Sequence, residues 1–310
     1  MIWDCIIVGG GVTGISAAIY AYRFNMKVMI LAKDLGGLLA TTHIVENYPG
    51  YASISGPDLM EKFKEHARYF NIPMVEEFVK KVNKAKCGFE VKTESKTYKT
   101  KTIILATGTE HKKLDVPGEK EYRNKGVSYC AICDAAFFKN KLVAVVGGSD
   151  SAAKEALLLS DHASKVYIIY RGEKIRPEPI NAVNVEKNKK IEIINNTNIV
   201  EVKGDGKKLT HVILDKEYKG SNQLNLDGLF PAIGLIPQNE LARQLGVKLN
   251  DKGQIIIDEN SMTNVEGVYA AGDIGNRGYK QAITGAAEGV MAAFSAYNYI
   301  NIAYNDFSDE

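Results

Sequence analysis

The chain has 310 residues, 45% of them hydrophobic and 25% charged, which gives enough apolar surface to bury real cores and argues against a disordered chain. That length exceeds what one core usually serves, so two domains are expected, with one large domain as the alternative. A net charge of +2 is too near balance to attract nucleic acid or a membrane surface by long-range electrostatics, and no such partner is expected.

Asp4 precedes the first apolar run and Gly9 ends it, so neither a basic leader nor a signal-peptide core is expected. No run approaches the apolar length that spans a bilayer, and a cytoplasmic location is expected. Asp4-Cys5-Ile6-Ile7-Val8 reads as a short buried strand that runs into Gly9-Gly10-Gly11-Val12-Thr13-Gly14. Ile15, Ala18, Ile19 and Tyr22 then form one apolar helical stripe, and Lys27 to Leu31 reads as the next strand. This is a βαβ unit. Gly9, Gly11 and Gly14 fit G-x-G-x-x-G: the first allows a tight turn, the second lets the backbone approach a pyrophosphate, and the third lets helix and sheet pack closely. The acid that commonly ends the second strand and binds a ribose hydroxyl is missing; Ala32-Lys33 stands there, with Asp34 slightly late.

The Lys-rich stretch from Lys80 to Lys101 is interrupted by Glu90 and Glu94 and reads as a solvated face. Ile103 to Gly108 reads as a strand closed by a glycine turn, and Val116-Pro117-Gly118 as a linker. A second unit of the first design follows: strand Leu142–Val146, turn Gly147-Gly148-Ser149-Asp150-Ser151-Ala152, a helix to about Ser160, and strand Val166–Ile169. Its turn fits G-x-G-x-x-A except at Ser149, whose hydroxyl is able to donate to phosphate. Arg171 and Arg176 stand where a 2′-phosphate would lie, or are simply surface arginines. Gly228 to Gly234 repeats the strand and turn of 103–108, and the last segment offers strand Val268–Ala270 and a helix rich in small residues from Gln281 to Tyr297. The economical plan inserts the second unit into the first domain, which the carboxyl-terminal segment completes.

Cys130 and Cys133 form a C-x-x-C just before the second unit, either a redox pair or half of a metal site. No second C-x-x-C or nearby H-x-x-x-H completes a zinc site, so the redox reading is preferred and no metal is expected. Exchange with a disulfide needs an attacking thiolate, a resolving thiol and a proton donor, and Asp134 adjoins the pair. Cys5 and Cys87 read as free structural thiols.

Taken together, Gly9–Gly14, Gly36-Gly37-Leu38-Leu39, Glu46-Asn47-Tyr48-Pro49-Gly50, Ala106-Thr107-Gly108, the Cys-Ala-Ile-Cys-Asp run, and Ala271-Gly272-Asp273 with Tyr279-Lys280-Gln281-Ala282 make the sequence similar, over nearly its whole length, to the low-molecular-weight thioredoxin reductases. The resemblance implies an α/β fold of two Rossmann-like domains: an FAD domain in two parts, 1–113 and 244–310, and an NAD(P)H domain, 114–243, that carries the cysteine pair. It implies a homodimer that passes electrons from NADPH through FAD to the cysteines and on to thioredoxin or a thioredoxin-like protein. Gly36 to Leu39, Asn47, Thr107, Gly108, Gly272, Asp273, Lys280, Gln281 and Ala282 are implied flavin contacts, with Asp273 on the ribityl chain. Gly147 to Ser151, Arg171 and Arg176 are implied nicotinamide-nucleotide contacts. Cys133 is implied to face the flavin, Cys130 to attack the partner and Asp134 to be the acid. Domain rotation is implied too, with hinges near Lys112–Gly118 and Pro237–Leu241.

The sequence departs from the family pattern at several positions. Leu38 replaces Gln, Lys280 replaces Arg, Ser149 replaces Gly, and Tyr170-Arg171-Gly172 replaces His-Arg-Arg, while Arg176 matches the later Arg. One 2′-phosphate arginine is therefore absent. NADH, reduced ferredoxin or another small carrier is the alternative donor, a glutaredoxin-like protein or a peroxiredoxin partner the alternative acceptor, and an FAD-binding redox sensor without turnover the reading from another class.

Overall fold

A computed structural model describes residues 2–305. The chain divides into two compact units, one running to Glu110 and resuming at Pro237, the other His111–Ile236. The divisions expected at 113/114 and 243/244 thus fall at 110/111 and 236/237, where the crossing segments Thr109–His111 and Leu235–Pro237 pair with each other as a two-stranded ribbon.

In the first unit, Ile2–Val8 lies at the middle of a seven-stranded sheet, parallel to Val28–Ala32 on one side and to Thr97–Leu105 on the other. Both faces of this sheet are covered, which is why its strands read as unbroken apolar runs rather than as alternation. Cys5, Ile7, Ile30 and Ile104 point into one core, and Ile6, Val8, Leu31 and Ile103 into the other. Thr97–Leu105 changes partners along its length. Its first half pairs antiparallel with Phe89–Lys92, and its end pairs in parallel with Val268–Ala270, so the late segment joins the sheet that the first strand opened.

The helix Val12–Arg23 is buried well beyond the expected stripe, from Thr13 to Ile19 and again at Ala21. The long helix Ala282–Asn305 covers its outer side, and glycines bring the two close: a Cβ on Gly289 would lie 2.3 Å from the Thr13 carbonyl oxygen. Tyr22, expected in the stripe, is exposed and stacks on Phe70 at 4.8 Å between centroids.

The second unit has a parallel sheet in the order Ile191–Ile194, Lys165–Ile169, Leu142–Val146, Gly228–Pro231, and a separate antiparallel sheet of Ile199–Gly204, Leu209–Tyr218 and Ser221–Asn225. The lysine-rich stretch forms the hairpin Lys81–Lys84 and Phe89–Lys92, with Cys87 exposed between its strands and Lys80 paired to Glu94 at 2.6 Å. Cys5 is buried and free. Among the described residues no helix is long and apolar enough to cross a membrane, and no cluster of His, Cys, Asp and Glu is arranged to hold a metal.

Candidate active site

The three glycines of the first turn divide their tasks as the motif's physics requires. A Cβ on Gly9, at φ +129°, would lie 2.0 Å from the Ala106 carbonyl oxygen, and one on Gly14 would lie 2.0 Å from that of Gly9. A Cβ on Gly11 would meet nothing within 4 Å. The outer glycines are thus imposed by packing, while the middle one faces open space at the start of Val12–Arg23, whose N-cap makes no side-chain hydrogen bond. Free N–H groups directed at open space suit a pyrophosphate.

Around this opening the chain gathers residues far apart in sequence. Gly37, at φ +57°, stands beside it, where a Cβ would make van der Waals contact with the Gly11 Cα at 3.4 Å. That turn is held by Asp34, whose Oδ1 accepts the Gly37 N–H at 3.0 Å, so the late acid serves the loop. Leu38 and Leu39 lie in the short helix Gly37–Thr41, where the Leu38 carbonyl accepts from Thr41 and Thr42 hydroxyls and Leu39 packs on the core. Asn47 Nδ2 donates to Gln281 Oε1 at 3.1 Å across 234 residues, just before the helix that begins at Ala282. Thr107 donates its hydroxyl to the Gln238 carbonyl at 2.8 Å, and Gly108 accepts from the Gln238 N–H at 3.0 Å.

Gly272, at φ +80°, would drive a Cβ to 2.5 Å from Thr13 Oγ1, which seats the Gly272–Asp273 turn on the first turn of the N-terminal helix. Glu288 holds that turn by accepting the Gly272 N–H at 2.8 Å. Lys280 Nζ donates to the backbone carbonyls of Asp273 and Gly275. Burial pushes the Asp273 carboxyl up, with Lys280 pulling the other way, and pushes the Lys280 ammonium down. Thr109 Oγ1 is buried with no hydrogen-bond partner in the structure. An open anion seat, a half-buried carboxyl and an orphaned hydroxyl fit a dinucleotide with a polyhydroxyl chain, as FAD is.

The second unit repeats the construction bond for bond. Gly147, at φ +148°, stands against the Ala232 carbonyl as Gly9 stands against Ala106, with a Cβ separation of 2.2 Å. The Gly147 N–H donates to Ile169 as that of Gly9 donates to Leu31, and the Ala232 N–H donates to Val146 as that of Ala106 donates to Val8. Ser149 is the N-cap of the helix Asp150–His162 and makes no side-chain cap bond, so its hydroxyl is not consumed by the helix. Ser151 is exposed in the first turn of that helix. Asp150 is committed elsewhere: its carboxylate accepts from Glu178 N, Asn181 Nδ2 and Lys154 Nζ, each at 2.8 Å. Burial pushes this carboxyl up, but the bonds from Lys154, Asn181 and Glu178 win and hold it below the usual range. Its side chain ties down the helix Pro179–Lys187. Arg171 is exposed, while Arg176 is drawn to the turn, its N–H on the Gly148 carbonyl at 2.6 Å.

Cys130 and Cys133 are joined in a disulfide. Cys130 is the N-cap of the short helix Ala131–Asp134, and its Sγ accepts the Cys133 N–H at 3.2 Å, a bond that favours a thiolate on Cys130 once the pair is reduced. Cys133 is exposed, while Cys130 and Asp134 are half-buried.

The sequence profile of the pyridine nucleotide-disulphide oxidoreductases matches residues 3–289. A thioredoxin reductase of Listeria monocytogenes is 40% identical over 301 residues, 96% of this chain and 94% of the relative. The thioredoxin reductase structure from Lactococcus lactis, in a form described as the FR conformation, superposes with TM-score 0.92 at 37% identity and covers 96% of this chain and 99% of that one. The chain belongs to this family, as a low-molecular-weight thioredoxin reductase. The T. acidophilum thioredoxin reductase is as near in fold, with TM-score 0.91 at 39% identity over 96% of this chain and 98% of the other. The family is one of flavin-dependent oxidoreductases with a pyridine nucleotide and a redox-active disulfide, and Cys130–Cys133 is the disulfide formed among the described residues of this chain.

Three residues of the site escaped the sequence. Thr13, an x of the glycine motif, is the floor for Gly272. Glu288 is the only charged residue of its 24-residue helix, and a lone acid in so apolar a segment was the available signal. Glu119, just after the expected linker, is buried and accepts from Leu114 N at 2.8 Å, Asp115 N at 2.7 Å and the Tyr129 hydroxyl at 2.6 Å, which fastens the residue before Cys130 to the segment that enters the second unit. Glu119→Ala leaves three donors unpaired and is expected to destabilise the second unit by about 3 kcal/mol, read as a fall in urea midpoint, with about 1 kcal/mol for Tyr129→Phe. Equal midpoints for Glu119→Ala and the parent would refute this account of the buried carboxylate.

Proposed function

We propose that the protein reduces the disulfide of thioredoxin or a thioredoxin-like protein, using FAD held by the first unit and NADPH bound by the second, as a cytoplasmic homodimer. The observation that carries the reading is the Cys130–Cys133 disulfide in a C-x-x-C-D run, in a chain that builds two dinucleotide turns. Bound FAD supplies the two-electron relay between the nicotinamide donor and this disulfide. Gly9, Gly11 and Gly14 seat the pyrophosphate, Asp273 binds the ribityl hydroxyls, and Lys280 and Glu288 fix the Asp273 turn.

With the pair reduced, the Cys130 thiolate attacks one sulfur of the partner disulfide. A mixed disulfide forms and the other partner sulfur leaves as a thiolate, which takes a proton from Asp134. Cys133 then gives its proton to the Asp134 carboxylate and attacks Cys130 Sγ, which restores the Cys130–Cys133 bond and expels the second partner sulfur as a thiolate that solvent protonates. The Cys133 N–H on Cys130 Sγ supports Cys130 as the attacking thiolate. Exposure ranks the two in the other order, since Cys133 is the more accessible, and this favours the exchanged roles as the second reading.

The purified protein is expected to be yellow, to release flavin on denaturation, and to bleach anaerobically with NADPH faster than with NADH. Oxidised thioredoxin should then restore the colour. A protein that stays colourless after incubation with FAD would overturn the flavin assignment, and bleaching by neither nucleotide would move a ferredoxin or another carrier to the front.

A further inference from the structure

Tyr170 directly follows the strand Lys165–Ile169, at the position where a dinucleotide-binding unit ordinarily recognises the adenosine ribose. Two backbone bonds clamp it to the neighbouring strand end, Tyr170 N to the Ile194 carbonyl at 2.9 Å and Thr197 N to the Tyr170 carbonyl at 3.1 Å. Its ring lies wedged between two glycines. A Cβ on Gly148, in the phosphate turn, would come within 2.5 Å of the ring, and one on Gly172 within 2.7 Å. The hydroxyl accepts from Arg176 Nη2 at 3.1 Å.

In the first unit the equivalent of Gly148 is Gly10, whose Cβ would meet Asp34 O, Leu35 and Ala32, also at the end of the second strand. The ring therefore packs beside the turn, on the strand-end side, and not over the helix N-terminus that receives the pyrophosphate. One arrangement accounts for two departures from the family pattern together. With the Tyr170 ring placed as it is, a side chain at 172 would have to displace it, so the tyrosine and the glycine suit one another.

We propose that Tyr170 is a specificity-determining residue of the donor site, and that its phenol, oriented by Arg176, donates to the 2′-phosphate in place of the arginine missing at 172. This rests on the nicotinamide-donor reading above. A phenol that accepts from a guanidinium keeps its own proton to give, and an acceptor oxygen is what a 2′-phosphate offers. The segment from Tyr170 to Arg176 carries Arg171, Lys174 and Arg176 against the single acid Glu173, and no carboxylate ends the strand to repel a phosphate. Asn195 Oδ1, one residue beyond Ile194, is buried without a partner at the same edge.

The test is calorimetric binding of adenosine 2′,5′-bisphosphate and of 5′-AMP to the oxidised holoenzyme. The parent should prefer the bisphosphate. Tyr170→Phe, which keeps the wedge and deletes the hydroxyl, should lower that preference about tenfold to a hundredfold, the range of one hydrogen bond to a charged group, with 5′-AMP unchanged as the check on folding. Arg176→Met should lower it too, and should do less in the Tyr170→Phe background than alone, because the two groups act as one. A parent without preference, a Tyr170→Phe preference equal to the parent's, or equal weakening of both ligands overturns the proposal. Chemically reduced holoenzyme mixed with oxidised thioredoxin tests the disulfide chemistry separately: its failure would remove that reading and leave the binding ratio to judge Tyr170.

Discussion

Cys133→Ser and Cys130→Ser are each expected to reduce turnover with a disulfide acceptor to background while leaving different spectra. Exchange requires two sulfurs, one to attack and one to resolve, and a serine hydroxyl does neither at neutral pH. With roles as proposed, Cys130→Ser retains a Cys133 thiolate beside oxidised flavin and shows a long-wavelength charge-transfer band, whereas Cys133→Ser shows none. Cys133→Ser should also be the variant that accumulates a stable mixed disulfide with its partner, because the attacking Cys130 remains and the resolving thiol is gone. The backbone bond from Cys133 N–H to Cys130 Sγ persists in a serine-133 chain, so the remaining thiolate keeps its stabilising donor. A charge-transfer band in Cys133→Ser and a trapped adduct in Cys130→Ser would exchange the roles, in agreement with the exposures. Identical spectra would show that neither sulfur is distinguished by its position.

The two βαβ units were legible because parallel strands buried on both faces print as apolar runs, and each meets its helix through a glycine whose conformation few other residues adopt. Gly9 and Gly147, with their matching carbonyl contacts on Ala106 and Ala232, are the visible trace of that repeat. The antiparallel sheet from Ile199 to Asn225 went unread, since its strands are half exposed and mix charged and amide side chains among their apolar ones. The helix Gly56–Tyr69 also went unread, although Ser55 caps it by accepting the Asp58 N–H and Pro57 stands in its first turn, both local signals. Within the site, residue types were legible and their commitments were not. Asp34 and Asp150 are acids in the right turns, yet one holds the Gly37 N–H and the other binds Lys154, Asn181 and the Glu178 N–H. Such bonds join residues whose spacing follows no period. The link between Tyr170 and Gly172 was hidden for the same reason, because only the folded strand end shows that the two occupy one volume.

Gly9→Ala and Gly11→Ala are expected to fail at different stages, although the substitution is the same and the sites are two residues apart. A methyl at position 9 would stand 2.0 Å from a backbone oxygen of the central strand's neighbour, at a φ of +129° that alanine rarely adopts. Neither fault is relieved by a rotamer change, so the strand end or the turn must move. The cost is several kcal/mol, a large part of the roughly 5–15 kcal/mol that holds a domain folded. Gly9→Ala should therefore appear as low soluble yield and a lowered melting temperature even with excess flavin. Gly11 has φ −79° and ψ −177°, which alanine adopts freely, and its methyl would enter open space. The apo-protein of Gly11→Ala should melt as the parent's does. That open space is where the pyrophosphate must approach the helix N–H groups, and holding it off by a methyl forfeits one or two charge-assisted hydrogen bonds of about 1.5–3 kcal/mol each. Flavin affinity should fall by at least about tenfold, and by more than a hundredfold if both bonds are lost, measured by fluorescence titration of the apo-protein. Parent-like flavin affinity in Gly11→Ala would place the pyrophosphate elsewhere, and parent-like melting in Gly9→Ala would contradict the contact with Ala106 on which the turn is built.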